Sequence, residues 1–489
     1  MSVRTILASV AVGFSSLAHA DVSISNKPTQ NMSCDAGVCT ATAQKAVLNV
    51  TDLANMLAGG DVAVKSGTLA KDIEIVQPLT WSSTSRLTLD AQRSITVKKQ
   101  VTVAGQGALT ITTNDTGTPK KNDGEFIIVP ERGSVQFWDL SSSLVIDSHS
   151  YTLVGDIKTL ADDIAANPSG FYALAKPYDA SADGTYPNSP VPTTFTGTFD
   201  GLGNTIANLR INFSPSQNGV LIGLFSFIQT QGIVRNTLVK RSVLTGVGIV
   251  GNYGAIGIVV GDNRGTIQDS SSSGTINIPG GGNAGPGGLV GQNDGTIIRS
   301  HAAANVTLQG SFSRSGGLVA YNTGDVTQSF AAGTIGSEKD NDTQTLGGLV
   351  GQNLGLVRDT YTLTKIHQSR GCCDSIGGLA GANESTGRIE SSYAAGEVKL
   401  RADGTGDVGG VIGTDHAAGG AITTTYWDLD KGISDPSQGA GNIDNDPGIT
   451  GLTDLELKSG LPAGFDPKIW GSNPNINNGY PYLLANPPQ

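Results

Sequence analysis

The sequence predicts an all-β fold, a parallel β-helix (solenoid) with short N-terminal helices and a C-terminal cap. Three observations carry this expectation. A segment recurs six times, as GIVVGDNRGTIQDS at 257, GGLVGQNDGTIIRS at 287, GGLVAYNTGDVTQS at 316, GGLVGQNLGLVRDT at 347, GGLAGANESTGRIESS at 377 and GGVIGTDHAAGGAITTT at 409. Intervals of 29 to 32 residues fall in the range of stacked repeats. Within the copies no apolar residue keeps helical spacing, and the short apolar runs bounded by Gly, Asn and Ser read as strands, three to a repeat. Finally, 67 of 489 residues are Gly and only 38% are hydrophobic. That is little for a compact globule but enough for a narrow core shared between coils.

Residues 1–20 read as a secretory signal peptide, with Arg4, the apolar ILASVAVGFSSL and the small-x-small end Ala18-His19-Ala20. Residues 21–150 form an N-terminal β-rich region with a disulfide and a short helix. In it SRLTLDAQRSITVKKQVTV alternates Leu87, Leu89, Ile95, Val97, Val101 and Val103 on shared faces. NVTDLANMLAGG predicts a helix capped by Thr51 and stopped by its glycines. Residues 151–256 begin with a second helix, KTLADDIAANPSG, ended by Pro168. A surface loop follows at 175–197, rich in Pro, Ser, Asp and Thr, and then divergent coils at 195–211 and 222–239. The repeat array occupies 257–425, and 426–489, with Trp427 and Trp470, has the apolar weight to cap the open end of a solenoid.

Each repeat carries an apolar pair (Leu289-Val290, Leu318-Val319, Leu349-Val350, Leu379-Ala380, Val411-Ile412) and a third apolar site at Ile276, Val306, Ile335 and Val398. No coil buries these alone, so each requires a neighbour. A turn column recurs at Asn263, Asn293, Asn322, Asn353 and Asn383, with Asp415 last. Asn tolerates left-handed turns and bonds groups in the next layer, so this column reads as a structural Asn ladder. A second column, His301, Phe330, Tyr361, Tyr393 and Tyr426, follows Ser271 in the first copy. Stacked rings suit a flat ladder, facing either the core or solvent; facing solvent, they form a candidate sugar-stacking stripe.

A net charge of −11 without any basic run argues against a nucleic-acid partner. After the leader no stretch approaches the length of an apolar membrane span. Cys34 and Cys39, in SCDAGVC, predict a local disulfide, whereas the adjacent Cys372 and Cys373 are either loop thiols or a strained vicinal pair. Catalytic signals are lacking: no GxSxG occurs, and GPGGLVG has no following Lys-Ser/Thr. The column Asp269, Arg299, Gln328, Asp359 and Ser391 changes identity at every layer. Asp200 reads as a turn residue and Asp162-Asp163 as a solvated helix pair. Asp428, Asp430, Asp444 and Asp446 lack the glycine-spaced loop of a calcium site. The expectation is therefore no catalytic residue, no metal and no cofactor.

The GGLVGQNDGTI copies resemble the GLUG motif of large bacterial surface and secreted proteins of filamentous-haemagglutinin type. FTGTFDGLGNTI, IGLFSFI and the closing YWD…GFDPKIW…NNGYPYL are similar to the flanks of such arrays, so the resemblance covers roughly 150–489. LTLDAQRSITV is similar to the β-helical part of the same adhesin-like proteins. The resemblance implies a right-handed coil displayed outside the cell, with adhesion as its role. The NPN string used in two-partner export occurs here only as Asn473-Pro474-Asn475, at the far end. The function expected is thus a secreted or cell-surface, non-catalytic binding protein for a host or environmental glycan or surface protein. The alternatives are a structural surface protein without a ligand and a β-helical polysaccharide-degrading enzyme. Specificity is expected in the inter-repeat loops 277–286, 336–345 and 367–375.

Overall fold

The computed structural model describes residues 21–115, 124–214, 219–246, 254–279, 283–308, 313–337, 344–368, 372–400, 405–417 and 419–488. The leader reading and much of the three inter-repeat loops lie outside them, as do the side chains of Cys372 and Cys373. Half of the chain is strand, wound as a parallel β-solenoid of about nine turns.

Two coiled units share one long sheet. The first unit has a five-stranded sheet, a three-stranded sheet (Leu79–Trp81, Val101–Val103, Val135–Phe137) and the first strands of a sixteen-stranded sheet that continues through the second unit. At the join, Ser143–Ile146 and His149–Val154 pair antiparallel. The chain reverses at Asp147 and Ser148, both in left-handed conformations, a pair that matches the twist of a tight hairpin. Beyond the reversal the pairing is parallel again, and the sheet is buried on both faces. Tyr172 and Leu174 point into the second core, whereas Ala173, Ala175 and Leu202 belong to the first.

Each of the two ten-residue helices packs on the core of one unit, and a short third one, Asp454–Lys458, lies in the C-terminal segment. Val50–Gly59 buries Leu53 and Leu57 in the first core. Its cap is Asn49, not Thr51: the Asn49 side chain accepts from the backbone N–H of Thr51 and Asp52. Asn at this position also bonds Thr29 and Lys27, tertiary contacts that no local pattern reveals. Ile157–Ala166, capped by Asp156, buries Ile157, Leu160 and Ile164 in the second core. Cys34 and Cys39 are joined across the hairpin Met32–Asp35/Val38–Ala41.

The repeats carry four strands per coil, one more than the spacing predicts. In one coil these are Ala284–Gly287, Val290–Asn293, Thr296–Ile298 and His301–Leu308. The extra strand is separated from the next by the paired glycines. A Cβ on Gly287 would lie 2.0 Å from the Val290 carbonyl oxygen, and one on Gly288 2.1 Å from that of Gly317. At Gly287 glycine gives this corner room with the next coil stacked on it, and the position of Gly288 is held by Ile258 in the first copy. Leu289, Val290, Ile297, Ala302, Ala304, Val306 and Leu308 fill the coil interior. Residues 175–197 are not a plain surface loop. They hold a short strand and a 3-10 turn, and Val191 and Phe195, both fully buried, bridge to Phe225 and Ile228.

The C-terminal region departs most from expectation. Residues 426–452 complete the last coil, with Thr425–Asp428 pairing Ile449–Leu452. The chain then does not stay at the open end. It turns back along the side of the solenoid, over the strand that bears the rings, and Asn486 reaches Ser300.

Candidate functional site

The two columns predicted from spacing are built very differently. In the asparagine column, Asn263 donates to Asn293 (2.7 Å), Asn293 to Asn322 (2.8 Å), Asn322 to Asn353, Asn353 to Asn383 and Asn383 to Asp415 (each 2.9 Å). All five asparagines have no exposed surface. Each amide nitrogen of the column also approaches a turn carbonyl, as Asn322 does at Gly324 (3.0 Å). Both polar ends are thereby satisfied, as a buried amide requires. This column is a spine, closed to any ligand.

The ring column stacks in register. His301 and Phe330 lie 4.5 Å apart between centroids, Phe330 and Tyr361 4.7 Å, and Tyr361 and Tyr393 5.2 Å, all within 7° of parallel. The rings point away from the coil interior, yet all are buried: Tyr361 and Tyr393 have no exposed surface, and His301, Phe330 and Tyr426 keep only 6–8%. The returning C-terminal segment lays Leu457, Phe465, Trp470, Tyr480 and Leu483 against them as a separate apolar cluster. Tyr393 donates to the Pro481 carbonyl (2.6 Å), Tyr426 to that of Ala463 (2.7 Å), and Trp470 to Asp359 (3.2 Å). The solvent-facing stripe is therefore corrected: these rings anchor the chain's own C-terminal segment. Burial of stacked apolar area outweighs exposure wherever a covering segment exists.

The carboxylates weighed as candidates are mostly tied down. Asp200 is fully buried, bonded by Arg235 (2.7 Å), Asn236 (3.0 Å) and the Leu202 N–H (2.9 Å). Tyr480 donates to Asp428 (2.6 Å) and also bonds Asp454, which in turn holds Lys431 (3.0 Å). Burial pushes both the Asp428 carboxyl and the Tyr480 hydroxyl up from their ordinary values. The changing column Asp269, Arg299, Gln328, Asp359 and Ser391 is a turn column, every member having φ between 47° and 52°. Among the described residues no group of three or more His, Cys, Asp or Glu is placed to hold a metal.

Open space lies where the ring column stops. Below His301 the next register position is Ser271, and a cleft of about 550 Å³ opens there. Its walls come from three distant parts of the chain: Glu131 and Arg132 of the first unit, Ser271, Ser273 and Lys240 of the second, and Asn475, Asn478 and Pro487 of the returning segment. A second cleft of about 640 Å³ shares Arg132 and Pro487 with it and adds Lys99 and Arg299. Glu131, itself in a left-handed conformation, pairs with Lys240 at 2.8 Å. Arg299 bridges Asp269 (2.7 Å) and Glu125 (2.7 Å), tying the units together. His301 accepts burial as a neutral ring, pushed down to about 4 by desolvation. Sequence reasoning did not single out Arg132, Lys240 or Asn478, because no period relates the segments that bear them.

No family model matches the chain. Halomucin of Haloquadratum walsbyi is 30% identical to it over 172 residues, 34% of this chain. The chain spans about 2% of that protein's length. No helix among the described residues is long and apolar enough to cross a membrane.

Proposed function

We propose that this chain is a secreted or cell-surface binding protein of adhesin type, related to the GLUG-repeat, filamentous-haemagglutinin-like proteins, that acts without catalysis and takes a glycan as ligand. One observation carries the reading. The stacked coils form a rigid scaffold, and its open concave space is a cleft assembled where two units and the C-terminal segment meet. Clefts at such junctions are common places for ligands. The walls offer amides, hydroxyls and half-buried apolar side chains (Leu363, Ile476), a mixture suited to sugar hydroxyls and C–H faces. The carboxylate lining this cleft, Glu131, is paired with Lys240, and those of the neighbouring cleft, Asp269 and Glu125, share Arg299, which supports holding over bond cleavage.

A glycan array with the purified protein tests this reading. Saturable binding to a defined sugar class is the expected result. A blank array combined with self-association alone would favour a structural surface role. Shortened chains recovered from the bound glycan would establish an enzyme.

A further inference from the structure

The paired clefts differ in charge from the rest of the molecule. The whole chain carries −11, yet five cations and three carboxylates line the two clefts. Lys98 pairs with Glu74, Lys240 with Glu131, and Arg299 with Asp269 and Glu125. Two cations are left over, Lys99 and Arg132. Both are exposed, and neither side chain has a hydrogen-bond or ion-pair partner among the described residues. Arg132 lines both clefts, beside Pro487. Around it stand neutral polar groups: the hydroxyls of Ser271 and Ser273 and the amide of Asn478.

We propose that these clefts bind an acidic oligosaccharide, with Arg132 as the fork that takes its anionic group and Lys99 as the second cation. The inference rests on the glycan-binding reading above and names the ligand class. A planar guanidinium presents two parallel N–H donors to a carboxylate or sulfate, whereas the surrounding hydroxyls and amides match sugar hydroxyls. Only two uncompensated charges are available, too few for the long polyanion contact that nucleic acid requires. The Glu131–Lys240 pair sets the balance, since Glu131 holds a third cation back from the ligand.

Isothermal titration of the purified protein tests this with four probes: a galacturonic acid hexamer, its fully methyl-esterified form, a sulfated hexasaccharide and neutral maltohexaose. The acidic hexamer, or the sulfated one if sulfate is the anion recognised, is expected to bind at least about 10-fold more tightly than the ester and the neutral sugar. Loss of a charge-assisted pair corresponds to about 10- to 100-fold, so Arg132→Gln is expected to abolish that preference. Arg132→Lys keeps part of it. Glu131→Gln frees Lys240 and is expected to raise affinity for the anion, an effect opposite in sign that misfolding would not produce. No preference of either anionic sugar, carboxylate or sulfate, over the ester and the neutral sugar, no effect of Arg132→Gln on that preference, or equally tight binding of a single-stranded DNA control would overturn the assignment. Binding confined to neutral glycans would overturn this inference while leaving the proposed function standing, and a glycan array blank throughout would remove both.

Discussion

His301 and Asn486 lie 185 residues apart in the chain and 3.1 Å apart in space. The Asn486 amide nitrogen donates to the carbonyls of Ser300 and Gln328, each at 3.2 Å. Its oxygen is therefore left to the ring, and His301 carries its proton on Nδ1. This contact fastens the far end of the returning segment. Asn486→Ala leaves the buried His301 Nδ1 and the half-buried Gln328 carbonyl without this partner, whereas the Ser300 carbonyl keeps the Phe330 N–H at 3.2 Å, and it is expected to cost about 1–3 kcal/mol. Urea unfolding of the variant against the parent measures it.

The same histidine makes stability depend on pH. Its folded value, about 4, lies below the ordinary 6.5 because burial disfavours the charged ring. Between those values the unfolded chain binds more protons, so this stabilisation is full above pH 6.5 and is lost as pH falls toward 4. His301→Phe keeps the stack on Phe330 and removes the titration. The stability difference between parent and variant is expected to shift by about 2–3 kcal/mol over that window, read from denaturant midpoints at pH 7 and pH 4.

Asp262 works in the opposite sense. It is buried in register between Phe227 and Gln292, with Arg264 at 3.5 Å. Burial pushes its carboxyl up to about 6 from 3.8. Its favourable protonated state is fully present below pH 3.8 and is lost as pH rises through about 6. Asp262→Asn is expected to stabilise the protein by about 1–2 kcal/mol at pH 7 and to have no such benefit at pH 3.5. Thermal scans at the two pH values decide it.

Tyr361 is fully enclosed within the ring column, and its hydroxyl has no hydrogen-bond partner among the described residues. Removing a buried hydroxyl without a partner, while keeping the stacked ring, is expected to raise stability by about 1 kcal/mol. Tyr361→Phe should then unfold at a higher urea midpoint. A lower midpoint would mean that the hydroxyl is satisfied.

The asparagine spine predicts a larger loss. Asn322 accepts from Asn293 and donates to Asn353, so Asn322→Ala breaks two buried amide contacts and leaves the neighbours to their longer turn bonds, Asn293 to the Gly295 carbonyl and Gly355 N–H to Asn353, each 3.3 Å. About 2–3 kcal/mol is expected from the two lost buried bonds and the space left behind. A variant at an exposed turn position such as Thr323 should cost far less in the same assay.

The sequence by itself determined what repeats. The interval of about thirty residues places Asn293 under Asn322, Val306 under Ile335 and His301 under Phe330, because stacking neighbours in a solenoid are one period apart. Composition and strand-length runs were enough for the all-β coil. What has no period was decided only by tertiary structure. The same ring column reads as a sugar stripe or as an anchor until Trp470, Phe465 and Tyr480 lie on it. The fourth strand of each coil, the asparagine that caps the first helix and the burial of Val191 and Phe195 likewise depend on contacts between distant segments. So does the cleft, which exists only because Arg132, Ser271 and Asn478 arrive from separate parts of the chain. A local pattern specifies which residues seek burial. Which surface buries them depends on shape and on the hydrogen bonds that two remote segments happen to complete.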